Sequence, residues 1–205
     1  MESDDNKFTI VKADKVDFDV RKQMSEIFSE GFSQWLVFFS KDKNKIAEAF
    51  AHMFVLDQFY VAITNNKIVA GMTACTDGNN LSVRLNKKEL RKHLGFFKGS
   101  MAGIFLKKEF EAAFEKIPPN TGPIEFVGTA SAFRGQGVAF KIIRHIIENT
   151  PYNEYVIEEV ADTNTPAMNL YNKLGFEEYK RKPVPKAMAK RNGINNLLSL
   201  KYVQK

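Results

Sequence analysis

Ile124-Glu125-Phe126-Val127-Gly128-Thr129, followed after four residues by Arg134-Gly135-Gln136-Gly137-Val138-Ala139, is the stretch that decides the fold. The first six residues are rich in apolar and β-forming types and read as a strand. Arg134 to Ala139 read as a glycine-containing turn. From Val138 to Asn149 the apolar residues Ala139, Ile142, Ile143, Ile146 and Ile147 recur at helical spacing, so a helix leaves the turn directly.

The flanking pattern predicts further elements. Downstream lie a strand at Tyr155 to Val160, a helix from Pro166 to Leu174 stopped by Gly175, and two last strands at Phe176 to Arg181 and Leu197 to Val203. Upstream lie a strand at Lys7 to Lys12, a helix at Val16 to Gly31, and a second helix at Lys43 to Val55. A hairpin follows, from Phe59 to Thr64 and back along Lys67 to Cys75, with its turn at Asn65-Asn66. Thr76 to Pro119 reads as a long insertion, because structureless loops of that length are uncommon. Asn86 to Leu94 and Lys107 to Ile117 are its helical parts. Gly95, Gly99 and Gly103 are expected to break or tighten the chain around Phe96 and Phe97, and Pro118 to Pro123 to form the closing turn.

Composition bounds the function. With 205 residues, 44% of them hydrophobic, the chain can bury one sizeable core. A single cysteine, Cys75, excludes an intrachain disulfide and suits a reducing cytoplasm. The acidic start MESDDNKF does not read as a secretory signal, and no apolar run reaches the roughly 18 residues of a membrane span. No membrane partner and a cytoplasmic location are the expectations. Thirty Lys and Arg against 24 Asp and Glu give a net charge of +6, compatible with an anionic small ligand, with nucleic acid, or with a solvated basic face. His52, His93 and His145 have no metal-ligand spacing, so no metal is expected.

A strand feeding a glycine turn and a helix can cradle a phosphate group. Glycine permits a sharp turn and close approach. The first helical turn offers unpaired N–H groups at the positive end of the dipole. The string alone also fits an ordinary tight turn. It is neither a Walker loop, lacking Gly-Lys-Ser/Thr, nor a dinucleotide fingerprint, whose spacing differs. A second constellation stands downstream: Asn164-Thr165-Pro166-Ala167, then Leu170-Tyr171-Asn172-Lys173-Leu174-Gly175-Phe176.

Together the two motifs resemble the GNAT superfamily of acetyl-CoA-dependent N-acetyltransferases. Arg134, Gly137 and Ala139 match its Gln/Arg-x-x-Gly-x-Gly/Ala turn, and Asn164, Ala167, Tyr171, Leu174, Gly175 and Phe176 match its later motif in order and spacing. The match covers Ile124 to Phe176, and the insertion exceeds the usual family core. The resemblance implies an α/β (α+β) fold: a central mixed, mostly antiparallel twisted sheet flanked by helices, with a long insertion between the third and fourth strands. It implies one N-acetyltransferase domain over residues 1–205, with a cofactor-binding core at about 124–176 and the insertion at about 76–119.

The activity the resemblance implies is direct transfer of an acetyl group from acetyl-CoA to an amine of a small molecule or peptide. Val127, Gly128 and Thr129 would pair with pantetheine, one of their N–H groups polarising the thioester carbonyl. Backbone N–H groups from Arg134, Gly135, Gln136, Gly137, Val138 and Ala139 would take the pyrophosphate. Asn164 would bond pantetheine or a bridging water, or else cap the next helix. Tyr171 would protonate the leaving thiolate, or else merely contact the cofactor. Glu125 is the candidate base, taken by the two-residue period to share a face with Val127 and Thr129; Glu158 and Glu159 are rivals. Phe32, Trp35, Phe38 and Phe39 are candidates for an acceptor wall, a core or a homodimer contact, and Phe96 and Phe97 for a lid. Two other classes stay open: a non-catalytic acyl-CoA sensor of the same fold, and a nucleic-acid binder using Lys180, Arg181, Lys182, Lys186, Lys190 and Arg191.

Overall fold

The computed structural model describes residues 7–32, 36, 38–110, 117–185, 189 and 193–204. Among the described residues seven strands form one sheet: β1 (Thr9–Lys12), β2 (Phe59–Ile63), β3 (Val69–Cys75), β4 (Thr121–Thr129), β5 (Glu154–Ala161), β6 (Glu177–Pro183) and β7 (Asn196–Val203). Their spatial order is β1-β2-β3-β4-β5-β7-β6. Every neighbouring pair is antiparallel except β4 with β5, so the sheet is mixed and mostly antiparallel. The helices are α1 (Arg21–Gly31), α2 (Lys43–Phe50), α3 (Lys87–Leu94), α4 (Phe96–Phe110), α5 (Val138–Asn149) and α6 (Thr165–Leu174). Among the described residues no helix is long and apolar enough to cross a membrane.

Each face of the sheet has its own core. On one side Met24, Ile27 and Phe28 of α1, Phe50 of α2 and Leu90 of α3 pack on Val61, Met72 and Ala74. On the other, Ile142, Ile143 and Ile146 of α5 and Tyr171 of α6 pack on Ala70, Tyr155 and Ile157. Gly71 permits the second contact: a Cβ there would come 2.6 Å from Val138 Cγ1 and 2.9 Å from the Gly128 carbonyl. Gly71→Ala is therefore expected to lower stability by about 1–3 kcal/mol, read as a shift in the urea midpoint. An unchanged midpoint would mean that α5 does not sit this tightly on β3.

The structure corrects several expectations. The first helix starts at Arg21 and not at Val16: residues 16–20 are not helical, and the Arg21 N–H donates to the Asp19 carboxylate at 2.9 Å. The closing turn ends before Thr121; Gly122 and Pro123 lie inside β4, paired with Tyr155 and Val156. Of Gly95, Gly99 and Gly103, only Gly95 breaks the chain, with φ +82. Gly99 and Gly103 sit within α4. Gly99 is there because a Cβ would fall 2.5 Å from Arg91 Cα, where α4 meets α3. The helical reading of Lys107 to Ile117 holds to Phe110. Residues 111–116 lie outside the described residues, as do Trp35, Lys186, Lys190 and Arg191.

The element that shapes the centre of the sheet is β4. Its parallel pairing with β5 comprises Thr121↔Glu154, Gly122↔Tyr155 and Pro123↔Val156, and no pair follows. Beyond Pro123 the strands diverge, leaving a wedge between Ile124–Thr129 and the second half of β5. On its other edge β4 pairs with β3, but the register slips between Met72 and Ala74. Phe126 is the extra residue, held at φ +50. An inserted residue of this kind bends a strand and reverses its alternation.

Candidate active site

The wedge is the feature around which the motif residues gather. Ala130 donates from its backbone N–H to Ala70, 3.0 Å away, on the β3 side. Successive amides of a strand point to opposite edges. Thr129, one residue earlier, and Val127, two before that, therefore turn their N–H groups into the wedge, whereas Gly128 turns its own toward β3. Gly128 serves packing, since a Cβ on it would lie 2.7 Å from Ile27 of α1.

At the wide end of the wedge stands the start of α5. Gly135 and Gly137 both hold left-handed backbones, with φ +76 and +74. A Cβ at either would meet no atom within 4 Å, so glycine is needed for conformation and not for room. Gly137 is the N-cap residue and no side chain caps the helix. Arg134 and Gln136 spend their N–H groups inside the loop, on Ser131 and Phe133. Those of Gly135, Gly137, Val138 and Ala139 have no backbone acceptor among the described residues. Four donors at the positive end of a twelve-residue helix are a geometry that can receive an anion.

Side chains brace the loop. Glu30 at the end of α1 accepts from the Arg134 guanidinium at 3.1 Å and from the Ser131 hydroxyl and N–H at 3.3 Å. Gln136 donates to the Ala132 carbonyl and accepts from Lys7 Nζ at 2.6 Å. Glu30 and Lys7 escaped the sequence reading, which had no local signal for partners more than a hundred residues away.

Glu125 lies where the wedge opens. It is paired with Ala74, whose side chain belongs to the α1 face, while Val127 packs into the α5 face. The expected shared face of Glu125, Val127 and Thr129 is thus overturned by the bulge at Phe126. Glu125 accepts a 2.7 Å hydrogen bond from the Ser82 hydroxyl. Burial pushes its carboxyl above the ordinary value, against the lowering effect of that bond. The rival Glu158 accepts from Tyr179 and Ser199, and Glu159 pairs with Lys182 at 3.6 Å.

On the far side of the wedge, Asn164 is the N-cap of α6 and accepts from the Ala167 N–H at 3.3 Å. Tyr171 is buried in α6 with its ring 6.0 Å from Phe176. Burial holds its phenol well above the ordinary value, so it stays protonated at neutral pH. Gly175 ends the helix at φ +90. The thiol of Cys75 is buried and pushed up to about 12, which disfavours the thiolate. Among the described residues no group of His, Cys, Asp and Glu is arranged to hold a metal ion. The basic stretch on β6 is partly neutralised, Arg181 by Glu178 and Lys182 by Glu159. Of the aromatic candidates, Phe39 is buried and Phe38 is exposed. Phe32 packs on Phe28 and Phe126, beside the bulge.

The sequence profile of the acetyltransferase (GNAT) family matches residues 21–176. No curated protein matches the chain in sequence. Among solved structures, an N-acetyltransferase from Staphylococcus aureus superposes with a TM-score of 0.61 at 16% identity, over 95% of this chain and all of the other. A GCN5-related N-acetyltransferase from Kribbella flavida gives 0.58 at 14%, over 98% of this chain and 100% of its own. The NatC complex bound to Gag peptide and CoA gives 0.55 at 13%, over 97% and 99%. At these identities the likeness is one of fold.

Proposed function

The chain belongs to the GNAT acetyltransferase family, and from that premise we propose that it is an N-acetyltransferase moving an acetyl group from acetyl-CoA to the amine of a small molecule or peptide. The reading takes residues 1–205 as one catalytic domain with its cofactor core at about 124–176. The observation that carries it is the wedge between β4 and β5, lined by strand amides and closed at its wide end by N–H groups at the start of α5, which have no backbone acceptor among the described residues.

In this reading the pyrophosphate binds the N–H groups of Gly135, Gly137, Val138 and Ala139, with Arg134 and Gln136 holding the loop in shape. Pantetheine lies along Val127 and Thr129 as a substitute strand, with Asn164 facing it from α6. An N–H from Val127 or Thr129 stabilises the oxyanion as the amine attacks. Glu125 takes the amine proton, directly or through water. Its raised pKa makes it a stronger base toward the amine than an exposed carboxylate.

The C–S bond then breaks and Tyr171 donates to the departing sulfur. A phenol above its ordinary value is a weak acid toward a thiolate of reference pKa roughly 8.5. The desolvation that raises the phenol also raises a thiol in the same site, which brings the two together. Tyr171→Phe is therefore expected to lower kcat by about tenfold or more with coenzyme A affinity nearly unchanged, measured by steady-state kinetics and calorimetry. Equal turnover would remove Tyr171 from the mechanism.

The test of the whole reading is to incubate the protein with acetyl-CoA and a library of amines and peptides while following free thiol. Thiol release that depends on an amine is the expected result. Cofactor binding with no turnover across the library would overturn it in favour of an acyl-CoA sensor.

A further inference from the structure

The outer face of α4 combines two properties that the acyl-transfer site does not use. Its inner face is spent on the fold: Ala102 and Leu106 are buried with Leu90 and Leu94. The outer face carries Phe97, Met101 and Ile104, which are 82%, 39% and 65% exposed, and next to them Phe96, 65% exposed. Helices that are apolar on both sides are normally enclosed on both. The spacing of Phe97, Met101 and Ile104 is i, i+4, i+7, the pattern by which a helix anchors in a groove.

The charge is equally uneven. Between Lys87 and Lys107 there are six Lys and Arg against the single Glu89, a net +5 in a chain whose total is +6. Arg91 is engaged, its guanidinium 4.4 Å from the Phe96 ring and bonded to Ser100. Lys92 faces Glu89. Lys87, Lys88 and Lys98 form no ion pair among the described residues.

These facts narrow the occupant. A second copy would bring +5 against +5, which like-charge repulsion disfavours. Phe97, Met101 and Ile104 stand out from a convex helix face over about 10 Å of axis, whereas small-molecule sites are concave. We propose that the outer face of α4 docks on an acidic polypeptide, whose apolar side chains cover Phe97, Met101 and Ile104 while its carboxylates meet the lysines of the α3–α4 hairpin. Docking of this kind does not depend on acyl transfer.

The test pans a phage-displayed library of random twelve-residue peptides against the whole protein, then measures selected peptides by fluorescence anisotropy. The expected result is a family of peptides with net negative charge and at least two large apolar residues. Their affinity falls about tenfold between 50 and 300 mM salt and at least about tenfold in the exposed-site variants Phe97→Ser and Ile104→Ser. Circular dichroism confirms that these variants are folded. Selected peptides without acidic bias, or indifferent to both variants, would overturn the proposal. So would self-association of the wild type that Phe97→Ser abolishes, which makes a second copy the occupant. Flotation of the protein with phosphatidylserine-containing vesicles that Phe97→Ser abolishes would also overturn it, by making lipid the occupant.

Discussion

Replacing Gly137 with valine is expected to weaken coenzyme A binding by roughly two to three orders of magnitude and to leave the fold standing. Gly137 holds φ +74, and a Cβ there would touch nothing within 4 Å. The penalty is thus one of backbone conformation, and a β-branched residue relieves it by leaving the left-handed region. The loop must then rotate, and the N–H groups of Gly135, Gly137 and Val138 no longer converge. Hydrogen bonds to a charged group contribute about 1.5–3 kcal/mol each, so losing two of them accounts for the expected change. Because the position packs on nothing, melting should fall only by a few degrees, as about 1 kcal/mol does in a chain of this size. Calorimetry with coenzyme A reads the first quantity and a thermal melt the second. Affinity within threefold of the wild type would remove the loop as the pyrophosphate site.

The second large effect concerns Glu125→Gln, expected to lower kcat by about two to four orders of magnitude. In the wild type, kcat/KM should fall as pH drops through the pKa of Glu125. Burial raises that pKa above the ordinary carboxyl value of 4.5, so the acid limb lies higher than an exposed carboxylate would put it. In the variant the limb disappears. The stability effect has the opposite direction. A carboxyl whose pKa is raised by folding favours the folded state most below its unfolded value, and that contribution is lost as pH rises through the folded one. At neutral pH the glutamine variant should consequently be as stable as the wild type or more so. A variant that is both slow and unstable would point to lost structure. One that keeps full turnover and its acid limb would pass the role of base to another residue, Glu158 being the next in line.

The motif region was readable because its signals are local. The bounds expected for α5, Val138 to Asn149, are those observed, since the isoleucine spacing and the glycine before it each act within one turn of helix. Asn164 and Gly175 likewise mark the two ends of α6 through their own side chain and backbone. The failures have distant causes. Nothing about Phe126 announces a left-handed residue in mid-strand, and that conformation moved Glu125 to the face opposite Val127. Gly99 looked like a breaker, yet it is a point of contact with Arg91, which only the packing of two helices reveals. Ser82, the partner of Glu125, lies 43 positions away inside the segment with the fewest recognisable signals.

Three ladder pairs, from Thr121↔Glu154 to Pro123↔Val156, with the Asn120 carbonyl beside them accepting from Asn153, join the two halves of the sheet at β4 and β5. Mechanically this seam is the fulcrum of a lever whose arm is β4. At about 3.3 Å per residue, the six steps from Pro123 to Thr129 make it roughly 20 Å long. A tilt of about 5° at the fulcrum swings the far tip by about 1.7 Å, and displacements near 1 Å can cost about a hundredfold in rate. Gly122 sits in the seam with the Tyr152 ring 2.6 Å from where its Cβ would be. A side chain wedged there would act at a distance, arriving as misalignment at the opposite end of the strand.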